Sequence, residues 1–481
     1  MVSFLMCYEF VISYPSVNHL CMKLPIAFVF SCLTALAWAQ QPETKNLKAI
    51  SMAKVSDKIA VTENLANATI YEVNIRQYSK EGTINAFSNQ IPRLAAMGIQ
   101  LLWIMPVQPI GEKNRKGTLG SYYSIRDYLA ISPEMGTMED FIIMVKTAHA
   151  NGMKVILDWV ANHTAFDHAW TVEHPDFYVR DAKGQIKPPV DDWTDVADLN
   201  YDNREMRSLM TESMKFWLRA TNIDGFRCDV AEMVPLDFWQ DTRRELERIK
   251  PVFMLAEGEK EELHKGAFDM TYSFSQHHLM NDIAKGKKNA LDMDVYLKGQ
   301  SVYPSEAYRM YFTSSHDENS WNGTAFERLG EGAKTFAVLT FGLNGMPMIY
   351  SGQEAANNKR LKFFEADPID WGNFPLADFY TRLVKLKSQE AALRHGREAG
   401  EFVKLASGKD EFVYAFVRKK GQSKVLFILN LSGKAQKIKL QSPELSGEAI
   451  ELFSGEDLKF KANYSIQLKP WQYLVYRFKN L

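Results

Sequence analysis

The chain has 481 residues, 46% of them hydrophobic and 24% charged, with a formal net charge of −1. This is ordinary globular composition, long enough for a large α/β domain and one or two smaller ones. No block of basic residues runs along it, which argues against a nucleic-acid groove or an anionic membrane surface as partner.

The first element reads as a leader. Leu24–Ala37 is apolar, follows Lys23, and runs into Ala37-Trp38-Ala39, with small residues at the two positions a signal peptidase reads. The run is too short for a comfortable membrane span, and polar Gln40-Gln41 follows at once. Residues 1–39 are therefore expected to be a signal region, with Met22 as the true start and cleavage after Ala39. That implies export in a bacterium, to the periplasm or outside the cell, and no membrane anchor in the mature chain. Bulky Phe30 disfavours Cys32 as a lipoprotein anchor. Cleavage would remove Cys7, Cys21 and Cys32 and leave Cys228, so the mature chain would have no internal disulfide.

Residues 40–65 read as a polar lead-in. Then short apolar runs alternate with helix-period stretches. The strand candidates are Thr69–Asn74, Gln100–Met105, Lys154–Asp158, Ile223–Asp229, Val252–Glu257, Phe268–Tyr272, Arg309–Ser314 and Met346–Tyr350. Between them lie amphipathic stretches at Ile84–Met97, Met138–Asn151, Glu205–Ala220, Pro235–Ile249 and Ala333–Leu343. This alternation predicts βαβ units and a parallel sheet. The pattern fits an α/β fold, a closed (β/α)8 TIM barrel over 68–394 with a subdomain inserted after strand 3 at 159–203. A doubly wound open sheet is the other reading, but no G-x-G-x-x-G turn follows the first strand. After about residue 395 the runs alternate apolar and polar residues, which predicts a C-terminal antiparallel β-sandwich domain over 395–481.

Four predicted strand ends are crowded with polar groups: Asp158 through Asn162 and His163, Arg227 and Asp229, Glu257, and His316-Asp317. One acid at a strand end is an ordinary turn or cap residue. Several converging on one barrel mouth are hard to explain as structure, because unpaired carboxylates repel. Glycosidic bond cleavage needs two such acids, and about 5–5.5 Å between them gives retention of configuration. Adjacent strands roughly 4.8 Å apart bring the ends of strands four and five within that reach. A third carboxylate with Arg and His would hold sugar hydroxyls and favour positive charge at the ring. Cys228, between Arg227 and Asp229, alternates away from the mouth and reads as a buried small hydrophobe. His168, His174, His277 and His278 are expected on the surface or in loops.

These segments resemble the four signature regions of the α-amylase family of glycoside hydrolases, in order and over about residues 68–480. The resemblance implies that Asp229 is the nucleophile, Glu257 the general acid and then base, and Asp317 the carboxylate that binds sugar hydroxyls. Arg227 would orient Asp229, His163 and His316 would hydrogen-bond the sugar, and Asp158 would support the mouth. Tyr123, in Ser121-Tyr122-Tyr123-Ser124, matches the aromatic that stacks on the cleaved ring, with Tyr122 the alternative. Val196-Ala197-Asp198-Leu199-Asn200 matches a fifth region. The substrate implied is an α-glucan or oligosaccharide such as starch or maltodextrin, cut with retention, and no cofactor is required. A transglycosylase or isomerase of maltose, sucrose or trehalose would carry the same motifs, and an inert sugar-binding relative is a third reading.

Two departures matter. Some relatives hold a structural calcium, and Asn162 matches one of its ligands. Asn200 stands where the family has an acid, and Met233 where it has a His backbone oxygen; the lost acid weakens a hard-cation site. Ser124 follows the stacking Tyr where exo-acting members often carry an acid, which argues against exo-specificity.

Overall fold

The computed structural model describes residues 65–479, so the expected leader, with Met22, Ala39 and three of the four cysteines, lies outside the described residues. Eight parallel strands close a barrel: β1 (Ile70–Val73), β2 (Leu101–Ile104), β3 (Lys154–Trp159), β6 (Gly225–Cys228), β7 (Phe253–Ala256), β8 (Met270–Tyr272), β9 (Tyr308–Phe312) and β10 (Met346–Tyr350). β1 pairs with both β2 and β10, which joins the first strand to the last. Apart from Lys154 every residue of these strands is buried. Helices cover the outside and side chains fill the inside, so the strands read as near-continuous apolar runs.

Side-chain alternation sets two kinds of layer inside the barrel. Ile70, Leu101, Ile156, Met270 and Met348 belong to the apolar interior. Two residues further along the same strands stand Glu72, Trp103, Asp158, Tyr272 and Tyr350, all buried. Arg227 lies two residues after Gly225 on β6 and is equally buried. The upper layer is thus largely polar and sits directly beneath the C-terminal mouth. Gly225 lets β6 approach β7: its φ is +152°, and a Cβ there would lie 1.9 Å from the Phe253 carbonyl oxygen.

The helices end where their caps dictate. Thr137 and Asp140 form a capping box at the start of Met138–Ala150. Asn203 caps Arg204–Thr221, and Asn222 ends it in the left-handed conformation. The stretch expected as one helix over Ile84–Met97 is two, Ile84–Ser88 and Ile91–Met97. Pro92 explains the break: it suits the first turn of a helix but cannot sit inside one.

Between β3 and β6 the insertion contains a small antiparallel pair, β4 (His163–Ala165) with β5 (Val196–Asp198). Tyr128 ties it to the barrel by donating to the carbonyls of Val160 and His163, and Tyr201 donates to that of Ala161.

After the barrel come β11 (Glu401–Leu405), β12 (Val413–Lys420), β13 (Ser423–Asn430), β14 (Gln436–Gln441), β15 (Gly447–Glu451), β16 (Asp457–Phe460), β17 (Asn463–Leu468) and β18 (Tyr473–Phe478). Six make one sheet in the order β11-β12-β13-β18-β15-β16, and β14 pairs with β17. Tyr414, Phe416, Phe427 and Val475 share one hydrophobic cluster with the barrel helices. The opposite face, with Val413, Ala415, Leu426 and Ile428, packs with Ile438, Leu440 and Leu468 of the two-stranded sheet. No helix among the described residues is long and apolar enough to cross a membrane.

Candidate active site

Arg227 organises the barrel mouth. It is fully buried on β6, and its Nη1 donates to Asp158 Oδ1 and to Asp229 Oδ1, each at 2.9 Å. Its Nη2 stands 3.1 Å from Glu257 Oε2, an ion pair whose angle is too poor for a hydrogen bond. Its Nε donates to the Tyr272 hydroxyl at 3.2 Å, and its guanidinium lies 4.9 Å from the Trp103 ring centroid. Burial pulls the Arg227 pKa down, but Asp158 and Glu257 outweigh it and hold the group well above the ordinary guanidinium range.

Asp229 and Glu257 therefore meet at one guanidinium from two neighbouring strand ends. Burial first, and then the charge of Glu257, push the Asp229 carboxyl well up, against the pull of Arg227. Val230, between these acids in space, has φ +35° and ψ 46°, a strained conformation for a β-branched residue. Its N–H donates to Glu257 Oε2 at 2.7 Å, so the strain serves to aim a backbone donor at that acid.

Asp158 is more enclosed. Its Oδ1 is taken by Arg227, and its Oδ2 accepts from Trp103 Nε1 at 3.0 Å and from the Tyr123 hydroxyl at 3.1 Å. With those acceptor sites committed inside the barrel, it holds the mouth together. Asp317, by contrast, has a side chain 45% exposed, with Oδ2 3.2 Å from His316 Nε2. Burial would raise its pKa, but the His316 charge prevails and lowers it.

Tyr123 stacks on His316 with ring centroids 5.5 Å apart and 24° between planes, and its hydroxyl meets His316 Nε2 at 2.9 Å. Tyr122 does not share this place: it is buried beneath Arg76, 4.1 Å from its ring centroid. Of the two, Tyr123 lines the cavity. His163 lines it from β4, edge-on to Trp193, and burial lowers its pKa to about 4. The cavity measures about 400 Å³, large enough for sugar rings, and Asp229, Glu257, His316 and Asp317 all border it.

The cavity also has walls that sequence reasoning missed. Trp193, Lys116, Phe363 and Phe364 come from irregular loops, and Trp321 from a short π-helical turn, Glu318–Asn322. Trp321 is 52% exposed, with its ring centroid 5.1 Å from that of Phe363. No periodic pattern marks an aromatic in a loop, so nothing in the sequence separates these from core rings. The expectation for His277 is corrected, since it lies in the helix Phe274–Ala284, while His168 stands in a loop as expected. His277 is buried, stacked on Phe312 and 3.2 Å from Glu318, and His168 is buried against Tyr128 and Trp170. The Phe312 ring on His277 comes from a strand 35 residues away, which local sequence does not reveal. Cys228 is buried and free.

Asn162, Asn200 and Met233 stand at the calcium position. The amide nitrogen of Asn162 lies 3.2 Å from His163 Nδ1 and its backbone oxygen accepts from Leu199. Asn200 Oδ1 accepts from the Asp202 N–H. Among the described residues no three His, Cys, Asp or Glu side chains converge to hold a metal. Calcium takes carbonyl as well as carboxylate oxygens, but a donor set with no acid among Asn162, Asn200 and Met233 makes a weak site for a hard dication.

A closed (β/α)8 barrel with acids gathered at its C-terminal mouth is the architecture of a barrel enzyme. Residues 60–371 match the alpha-amylase catalytic domain and residues 413–475 the alpha-amylase SusG C-terminal domain, so the chain belongs to the alpha-amylase family of glycoside hydrolases. It is 24% identical over 407 residues to alpha-amylase MalA of Haloarcula japonica, covering 81% of this chain and 58% of that one. It is 26% identical over 437 residues to neopullulanase 2 of Thermoactinomyces vulgaris, covering 82% and 70%. In structure it is similar to the maltogenic alpha-amylase AmyB from Thermotoga neapolitana, at 28% identity and a TM-score of 0.78, over 86% of this chain and 99% of that one. An alpha-amylase from Lactobacillus plantarum gives a TM-score of 0.78 at 27% identity, with the same coverage.

Proposed function

We propose that the protein is a retaining hydrolase of α-glucosidic bonds, mainly α-1,4, in starch, maltodextrin or related α-glucans. The observation that carries this is the sharing of Arg227 by Asp229 and Glu257, two carboxylates on adjacent strand ends beside a sugar-sized cavity. Like charges so close favour one proton between them. The charge of Glu257 that helps to raise Asp229 is gone once Glu257 holds the shared proton, and the hydrogen bond from Arg227 then suits Asp229 to carry the charge and attack the anomeric carbon. Glu257 delivers the proton to the leaving oxygen, then takes one from the water that releases the sugar. Arg227 aligns the nucleophile. Asp317, exposed beside His316, and His163 hold hydroxyls of the ring, which lies against Tyr123. Asp158 acts through Arg227 and Tyr123. These side chains supply the whole reaction, so the proposal invokes no metal. Relatives named as an amylase and as a neopullulanase support an α-glucan as substrate. The leader-like segment before residue 40 supports export.

The role of Glu257 is tested by Glu257→Gln. Hydrolysis of maltodextrin should fall by about 10³-fold or more, while a glucoside with an acidic phenol as leaving group should lose far less in its first step. Equal losses on both would remove Glu257 from the role of acid. A product time course on starch, maltose, sucrose and trehalose tests the hydrolase assignment. Rearranged or elongated disaccharides, without starch cleavage, would replace it with a transglycosylase or isomerase.

A further inference from the structure

One buried carboxylate at the mouth has no part in that reaction. Glu72 stands on β1, in register with Trp103 of β2 and Tyr350 of β10, and is wholly buried. A charge in such a place is costly unless it is paired. Its Oε1 lies 2.5 Å from His316 Nδ1 and 3.4 Å from the His316 backbone nitrogen, while its Oε2 has no hydrogen-bond partner. On the other side of the ring, His316 Nε2 meets Asp317 Oδ2 at 3.2 Å and the Tyr123 hydroxyl at 2.9 Å. The ring plane is fixed by the Trp103 edge contact at 5.9 Å and the Tyr123 stack at 5.5 Å.

His316 thus sits between two carboxylates, one per nitrogen. A neutral imidazole has one donor and one acceptor nitrogen, so it would turn a lone pair toward Glu72 or toward Asp317. Only the imidazolium donates to both. We propose that Glu72 is a positioning residue: it keeps His316 in the doubly protonated form, and His316 in turn holds Asp317 where it meets the sugar. The inference rests on the reading of Asp317 given above. Burial raises the Glu72 pKa, and His316 first and then Arg227 pull it back. Glu72 also faces the phenols of Tyr272 and Tyr350, and His316 faces Asp158 and Tyr123 besides Glu72 and Asp317. Burial of His316 disfavours its charge, yet Asp317 and Glu72 prevail and raise its pKa well above the ordinary imidazole value. Arg227 is already divided among Asp158, Asp229 and Glu257, so His316 is the cation left to Glu72.

A merely structural Glu72 would serve as well as glutamine, whose carbonyl also accepts from Nδ1 but brings no charge. The test is therefore Glu72→Gln beside Glu72→Asp, read in two ways. The first is the imidazole nitrogen spectrum of His316, assigned by its loss in His316→Gln. The wild type should show both nitrogens protonated at pH 8, and Glu72→Gln should not. The second is the pH profile of kcat/KM on maltodextrin. In Glu72→Gln the alkaline limb should move to lower pH by about one unit or more, with a loss of roughly 30-fold at pH 8 but only about fivefold at pH 5. Glu72→Asp should restore the limb. A neutral His316 in the wild type at pH 8, or an equal loss at every pH, would overturn the inference. If Glu72→Gln does not fold, the wild-type spectrum still decides. That spectrum needs no turnover, so a protein inactive on every glucan would refute the proposed function and leave this measurement standing.

Discussion

At the scale of the residue, the mouth separates enclosed acids from presented ones. Asp158 and Glu72 are wholly buried and bonded, whereas Asp317 reaches into the cavity. The sequence could name Asp158, Asp229, Glu257 and Asp317, because each lies at a strand end within a dense polar cluster. It could not name Glu72, which sits inside an apolar run, Ile70-Tyr71-Glu72-Val73, with nothing to mark its partner 244 residues away. Trp321 was hidden for another reason: a lone exposed aromatic in a five-residue π-helical turn has no pattern around it to set it apart. Its indole helps His316 and Arg227 to hold the Asp317 pKa down, and its ring extends the aromatic wall of Phe363 and Phe364. Trp321→Ala should raise KM for maltodextrin by about tenfold with kcat changed little, as expected for loss of a stacking surface away from the broken bond. An unchanged KM in steady-state kinetics would take Trp321 out of the substrate path.

At the scale of the element, all eight barrel strands were legible because strands covered on both faces are short, unbroken and apolar. The split of Ile84–Met97 at Pro92 was legible too, had the proline been weighed above the period. The β4–β5 pair was not, since three-residue strands leave no pattern. That pair carries a pH consequence. Burial lowers the pKa of both His163 and His168 to about 4. His168 Nδ1 accepts from the Trp170 N–H, a bond that only the unprotonated nitrogen can make. A depressed folded pKa gives stability that is fully present above the unfolded value of about 6.5 and is lost as pH falls toward 4, on the order of 3 kcal/mol for a fully buried imidazole. His316, raised rather than lowered, works in the opposite direction and keeps its contribution in acid. Hydrogen exchange should therefore show the amides of the paired Thr164 and Ala197 losing protection between pH 6.5 and 4.5 before those of β1 and β2. Simultaneous loss in pair and barrel would contradict this.

At the scale of the whole molecule, the C-terminal sandwich is bound to the barrel through a shared core. Phe416 presses on Gly342 so closely that a Cβ there would come within 2.7 Å of its ring. Arg418, buried, donates to the carbonyls of Gly342, Arg394 and Gly400. Alternation is clean in β14, whereas β12 and β13 are near-continuous apolar runs, because one face packs on the barrel helices and the other on the two-stranded sheet. All this scaffold holds one pair of acids at one guanidinium, and the central claim is that the pair cuts with retention through Asp229. The most direct measurement is the proton NMR spectrum of the new reducing ends in the first minutes of maltodextrin digestion, before mutarotation. The account predicts that the α-anomer appears first and the β-anomer only later. First appearance of the β-anomer would mean direct attack by water, and would contradict a covalent intermediate on Asp229.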